Sequence, residues 1–233
     1  MIYATVDGVR RQPLCRGERS ICSGCGGLLY AVIGPSKISH WRHQAGDCDS
    51  WSEGEGEWHL GWKSLFPVDL CEVSLTNDNG DNHRADVCVR LPSDLSLVLE
   101  LQHSSISLDE MLKREAFYKA RGRMFWLVHL YQAGSVNSSW NFLISLNKPK
   151  SLHTIDGKEF EVHQWIARGD FLFKWMQSTA HVFLDVDNGG LFYLASRAAC
   201  AHLVDSLPSK HFAVCRLSRD QFFSAVGLPV TPN

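Results

Sequence analysis

Six soft or borderline metal ligands crowd the first fifty residues: Cys15, Cys22, Cys25, His40, His43 and Cys48. Cys22 and Cys25 form a Cys-x2-Cys knuckle, which lets two thiolates grip one ion, and a structural zinc needs two more ligands of similar softness. The expected set is Cys22, Cys25, His43 and Cys48. The alternative puts His40 in place of Cys48, making a second, His-x2-His knuckle. No helix with thioredoxin-like spacing follows, which argues against a redox pair. Cys71, Cys88, Cys200 and Cys215 stand singly in apolar surroundings and read as small core residues. The uneven placement favours one metal site over a disulfide framework.

A second constellation lies further along. His83-Arg-Ala-Asp86 enters one predicted strand, and Glu100-Leu-Gln102 ends the next. Side chains two apart on a strand share a face, so Glu100 and Gln102 point the same way and a hairpin can bring Asp86 beside them. A carboxylate ending the run Leu-Val-Leu-Glu-Leu is costly unless it is paired or metal-bound. Two carboxylates at strand ends suit a hard cation, magnesium or manganese. Such an ion would bind a phosphate oxygen and lower the pKa of an attacking water, with the Leu101 carbonyl as a further ligand. An acid followed by acid-x-base is the pattern of restriction-endonuclease-like folds, in which lysine commonly fills the last place. Gln102 stands there instead and carries no charge. The missing cation can come from a preceding helix, where Glu55, His59 and Lys63 are spaced by four and form one stripe. His59 would assist proton transfer and Lys63 would stabilise charge developing on the phosphate.

These residues need elements to hold them. Residues 53–66 read as a helix, with a capping box from Ser52 to Glu55 and Pro67 as the stop; Trp58, Trp62, Leu65 and Phe66 form its core face. Strands are expected at residues 2–6, 28–33, 37–43, 68–75, 85–91, 95–102 and 124–130. Gly34-Pro35-Ser36, Asn77–Asn82 and Pro92-Ser93-Asp94 mark turns between them. A helix starts at Ser107, capped through Glu110, and ends near Gly122. Beyond residue 147 the spacing predicts a helix over 161–177, and strands at 181–185 and 191–195 around Asn188-Gly189-Gly190. A strand at 213–217 and a short helix capped by Ser218 and Gln221 close the chain. The expected domains are an N-terminal zinc-binding segment (1–50), a nuclease core (51–146) and a small α+β extension (147–233). The fold class is α/β, a mixed central sheet flanked by helices.

The 233 residues suffice to bury a real core, and 45% apolar with 21% charged residues is an ordinary soluble composition. The net charge of -2 argues mildly against a nucleic-acid binder, although basic clusters at Arg10–Arg19 and Lys113–Arg123 allow a local basic groove. No apolar run reaches membrane length and residues 1–8 lack a signal-peptide layout, so a cytoplasmic protein without a membrane partner is expected.

Taken in order, Cys22-Ser-Gly-Cys25, His40-Trp-Arg-His43, Cys48, Trp58-His59 with Lys63, His83-Arg-Ala-Asp86-Val87, Glu100-Leu-Gln102-His103-Ser104, Arg114-Glu115, Phe117-Tyr118 and Phe125-Trp126-Leu127-Val128 form an ordered set. Over roughly residues 20–130 this set resembles the competence protein CoiA-like family. The resemblance implies a zinc-finger-like segment, a nuclease core of the restriction-endonuclease-like superfamily, and processing of incoming or recombining DNA, single- or double-stranded. Gln102 fits that family better than the lysine pattern. Two other readings share these residues: a non-catalytic DNA-binding adaptor for recombination proteins, and a nuclease directed against foreign DNA.

Overall fold

The computed structural model describes all residues except 36–37, 47, 52–53, 93–94, 131–138, 188–189 and 232–233. The expected Ser52 cap, the turns at Pro92-Ser93-Asp94 and Asn188-Gly189-Gly190, and part of Gly34-Pro35-Ser36 therefore fall outside the described residues. The chain forms two compact units, residues Met1–Arg90 with Pro229–Asn233, and Leu91–Leu228.

The first unit begins with the antiparallel pair β1 (Ala4–Val6) and β2 (Val9–Arg11), turned by Asp7-Gly8 with both residues at positive φ. An antiparallel sheet follows, β3 (Arg19–Ile21), β4 (Leu28–Val32) and β5 (His40–His43), with β4 in the middle. Its small core is Ala4, Cys22, Leu29 and Trp41. Trp41 is held on both sides: its amide donates to Met1 O and its indole to Arg11 O.

Helix α1 spans Glu57–Lys63, shorter than the expected 53–66. Gly54 and Gly56 explain the late start, because each glycine inside a helix costs about 1 kcal/mol relative to alanine. Glu55 therefore precedes the helix. His59, Trp62 and Lys63 form the buried face, whereas Trp58 is only half-buried. Residues Val68–Leu70 make one 3-10 turn rather than the start of a strand, and β6 (Cys71–Thr76) pairs antiparallel with β7 (Asn82–Arg90). Asn77 builds the turn between them by accepting the amides of Asn79 and Asp81 on its side-chain oxygen.

The second unit carries a large mixed sheet in the order β10-β11-β14-β13-β12-β9-β8. Its strands are β8 (Ser96–Gln102), β9 (Gly122–His129), β10 (Ser151–Ile155), β11 (Lys158–Gln164), β12 (His181–Asp185), β13 (Leu191–Leu194) and β14 (His211–Leu217). β8, β9 and β12 run parallel, and the rest pair antiparallel. β8 is buried along its whole length, as a central parallel strand should be. Helix α2 (Leu108–Lys119) is the crossover between β8 and β9; Ser107 caps it by accepting the Glu110 amide. Gly122 must be glycine, since a Cβ there would collide with the Ser96 backbone. The remaining helices are α3 (Ser139–Ser145), α4 (Phe171–Met176), α5 (Arg197–Ser206) and α6 (Arg219–Val226), the last with the expected Ser218–Gln221 capping box.

The expected helix over 161–177 is corrected. Phe160 and Val162 are buried and alternate with exposed Glu159 and Glu161, which is strand periodicity. Asp156 and Gly157, both at positive φ, close a tight hairpin between β10 and β11. Only Phe171–Met176 of that stretch is α-helical. Cys71 and Cys88 are buried as expected, but Cys200 and Cys215 are half-buried.

Two charged residues lie on the buried stripe of α2, between Met111 and Tyr118. One, Glu115, accepts hydrogen bonds from Trp126 Nε1 (3.0 Å), Ser178 Oγ (2.6 Å), and the Thr179 amide and hydroxyl (2.8 and 2.7 Å). It ties α2 to β9 and to the turn after α4. Across this unit Trp126, Trp175, Phe125, Phe142 and Phe212 are fully buried, each contributing about 1.5–3 kcal/mol of apolar transfer. Among the described residues, no helix is long and apolar enough to cross a membrane.

Candidate metal centres

Cys22, Cys25, His43 and Cys48 converge so that their ligand atoms all lie within 4.8 Å of one another. Cys22 Sγ and Cys48 Sγ are 3.8 Å apart, and Cys25 Sγ and His43 Nε2 are 3.5 Å apart. A tetrahedral zinc with ordinary bond lengths requires S···S edges of about 3.8 Å and S···N edges of about 3.6 Å. The group is thus a three-cysteine, one-histidine set that can hold zinc. A disulfide is ruled out for Cys22 and Cys48, because that bond is about 2 Å long. The amides of Gly24 and Gly27 donate to the Cys22 and Cys25 sulfurs, as expected for a knuckle whose thiolates carry charge. His40 is not in the group; its Nδ1 meets the Ile38 carbonyl.

The geometry follows from the hairpin. β4 and β5 pair Leu29 with His43, which brings the histidine level with the knuckle just before β4. Gly24 packs so closely on the β6–β7 hairpin that a Cβ would lie 2.5 Å from Asn82 Nδ2. After Cys48 the chain is fixed by Asp49. Its carboxylate accepts from His83 Nδ1 (2.8 Å) and from the amides of Arg84 and Trp51 (both 2.9 Å). Trp51 in turn stacks on the His83 ring, with centroids 3.2 Å apart. Burial would raise the Asp49 pKa, but these hydrogen bonds outweigh it and hold the carboxyl below its usual range.

The same unit buries Lys63, which is 1% exposed. Its Nζ lies 2.5 Å from Glu55 Oε1, 2.9 Å from Asp86 Oδ1 and 3.5 Å from Glu72 Oε1. The pairs Cys71–Val87 and Val73–Ala85 put Glu72 across from Asp86 on neighbouring strands. Desolvation works against the Lys63 charge, but Asp86, Glu72 and Glu55 overcome it and keep the ammonium well above its normal pKa. Glu72 is buried, with a backbone φ of 53°, and accepts the amides of Ile2 and Tyr3. Burial opposes its ionisation, yet Lys63, the terminal ammonium, Arg84 and the Tyr3 amide hold its pKa down at about 2. Glu55 responds oppositely: burial dominates and pushes its carboxyl up to about 7, against the pull of Lys63. Glu55 Oε2 is buried without a hydrogen-bond partner. An orphaned hard oxygen beside Asp86, in a cluster whose carboxylates outnumber its lysine, is a donor set that fits a divalent cation. His59 is buried on the same helix face as Lys63.

In the second unit, Glu100 and Gln102 are buried on the last turns of β8. Glu100 Oε2 lies 4.0 Å from Arg114 Nη1 on α2, and Arg114 also binds Glu110. Gln102 Nε2 donates to the Ser104 carbonyl (3.0 Å) and hydroxyl (3.3 Å). The structure therefore brings His59, Lys63 and Asp86 together in one unit and Glu100 with Gln102 in the other. Sequence reasoning missed Glu72 and Asp49. The available signals were a glutamate at the start of the apolar strand 71–75, and an acid directly after the last zinc-ligand cysteine.

Residues 78–160 match the family model described as competence protein CoiA, nuclease-like domain. No curated protein and no solved structure matches the chain.

Two outcomes follow from this geometry. Purified protein is expected to carry one zinc per chain by elemental analysis; Cys22→Ser loses it and His40→Ala retains it. Because the folded pKa of Glu55 lies above its unfolded value, its contribution to stability is complete below pH about 4.5 and is lost as pH rises through about 7. In magnesium-free buffer, Glu55→Gln should remove that part of the fall in melting temperature between pH 5 and pH 8.

Proposed function

We propose that this chain, whose residues 78–160 match the family model described as competence protein CoiA, nuclease-like domain, is a metal-dependent nuclease with a restriction-endonuclease-like core acting on DNA. The observation that carries the reading is the buried Lys63 ammonium 2.9 Å from Asp86. A charge-neutral Gln102 leaves the acid-x-base pattern without its cation, and Lys63 offers one from α1. At 1% exposure Lys63 acts through its field rather than by contact, and a buried charge is felt more strongly than an exposed one. It sits beside the Asp86 carboxylate and offsets negative charge at a neighbouring phosphate.

Asp86 and Glu100 would hold magnesium or manganese, with Glu55 as a further oxygen donor. When bound, such an ion supplies Lewis acidity toward a phosphate oxygen. Gln102 orients the phosphate or a water, with its amide steadied by Ser104. His59 accepts or returns a proton. The zinc segment braces the unit that carries Lys63 and Asp86, since Asp49 links the last ligand cysteine to β7. DNA as substrate, single- or double-stranded, and a role in uptake or recombination rest on the family; a role against foreign DNA would use the same residues.

One observation favours a second reading, a non-catalytic DNA-binding adaptor for recombination proteins. The Gln102 amide is committed to the Ser104 turn. Cleavage of single- and double-stranded DNA, with magnesium or manganese against EDTA, separates the two. The nuclease reading expects metal-dependent cutting that falls at least about 100-fold in Asp86→Asn and Glu100→Ala. A folded, zinc-loaded wild type that binds DNA and cuts neither substrate with either metal establishes the adaptor instead.

A further inference from the structure

The second unit contains a cleft of about 760 Å³ remote in sequence from the residues above. Its floor is one face of the sheet. Phe125 of β9 stands in register with His181 of β12, Phe183 with Tyr193 of β13, and Tyr193 with Cys215 of β14. One wall is α6, whose Phe222 packs edge-on against Phe183. The rim carries two cations, Arg123 and Lys158, and two acids, Glu159 and Asp220, whereas the Arg216 guanidinium turns to the other face of the sheet, over Phe192.

His181 reports which charges dominate inside. Its pKa is lowered first by burial and then by Arg123, Lys158 and Lys119, with no acid among the causes. Burial and then the Asp156 carboxylate push the Tyr193 phenol up to about 12, so it keeps its proton. The Tyr193 hydroxyl lies 2.6 Å from His181 Nδ1. The floor thus sets a hydrogen-bonded histidine–tyrosine pair among apolar aromatic rings, beside a cationic rim.

From this arrangement we infer that the cleft binds a nucleoside monophosphate, either free or as the terminal nucleotide of a strand. The volume lies inside the range of about 300–1,000 Å³ usual for small-molecule sites. The phosphate meets Arg123, whose guanidinium can bind it by two parallel hydrogen bonds, and the Lys158 ammonium. The base lies over the partly exposed His181 and the edge of Tyr193, with the His181 ring hydrogen-bonding to the base and the acidic rim accepting from exocyclic amines. This site is independent of the nuclease reading, since none of its residues belongs to that machinery.

Isothermal titration of the zinc-loaded full chain with dAMP, inorganic phosphate, and a tetranucleotide with and without a 5′-phosphate tests it. The variants are Arg123→Glu/Lys158→Glu, whose side chains are exposed, and Tyr193→Phe, which removes the hydroxyl that holds His181. The inference expects dAMP to bind at least tenfold more tightly than phosphate. It expects a tenfold or greater loss on charge reversal and a smaller loss in Tyr193→Phe. Binding of the 5′-phosphorylated tetranucleotide, but not of its unphosphorylated form, assigns the site to strand ends. Binding of dAMP alone assigns it to free nucleotide. Either result supports the site. No dAMP binding, or binding indifferent to charge reversal, overturns it, whatever the protein does to DNA.

Discussion

The buried ammonium of Lys63 is the constraint on which the first unit depends. Taking such a charge out of water costs several kcal/mol, and it stays only if well-placed opposite charges surround it. Three carboxylates do so here, and each arrives from a different element. Glu55 comes from the segment before α1, Glu72 from β6 and Asp86 from β7. Meeting one ammonium fixes how these elements pack. Glu72 extends the constraint to the N-terminal strand by accepting the Ile2 and Tyr3 amides, and it does so from a left-handed backbone conformation that is unfavourable by itself. The carboxylates then separate in acidity. Glu72, rich in donors, ionises easily, whereas Glu55 is left near pH 7 with one oxygen unsatisfied.

The second unit is organised by an anion in the same way. Glu115 is buried on α2 and receives four donors from β9 and from the turn after α4. Each unit therefore combines an apolar core with a buried charge whose partners come from distant elements. Such charges add specificity only while every partner is in place, because a lone buried charge is worse than none. The Cys22, Cys25, His43 and Cys48 set, which can hold zinc, lies beside the small core of Leu29 and Trp41.

The elements that sequence revealed best were those with a local signature. The Cys22–Cys25 knuckle, the capped starts of α2 and α6, and the apolar run of β9 each carry their physics within a few residues. The zinc set was legible because a β-hairpin must return His43 to the level of the knuckle. The start of α1 was misplaced because a period-four stripe outweighed two glycines. The helix expected over 161–177 was misread because a period-two pattern in β11 is only a few residues long, although Asp156-Gly157 announced its hairpin. The stripe argument nevertheless brought Glu55 and Lys63 to the same place, by a turn before the helix rather than by the helix itself. Glu72 and Asp49 were out of reach. Their partners are backbone amides 69 or 70 residues away for Glu72 and 35 for Asp49, and no local pattern encodes those.

The central claim is that Lys63 supplies the positive charge that Gln102 lacks. Its most direct test is the cleavage rate of a Lys63→Met/Glu72→Gln double variant, which removes the ammonium together with one buried carboxylate and so limits the charge imbalance. Zinc content and circular dichroism show whether the fold survives. With the fold intact and divalent metal still bound, the account predicts a loss of cleavage of at least about 100-fold. Cleavage within twofold of wild type would contradict it.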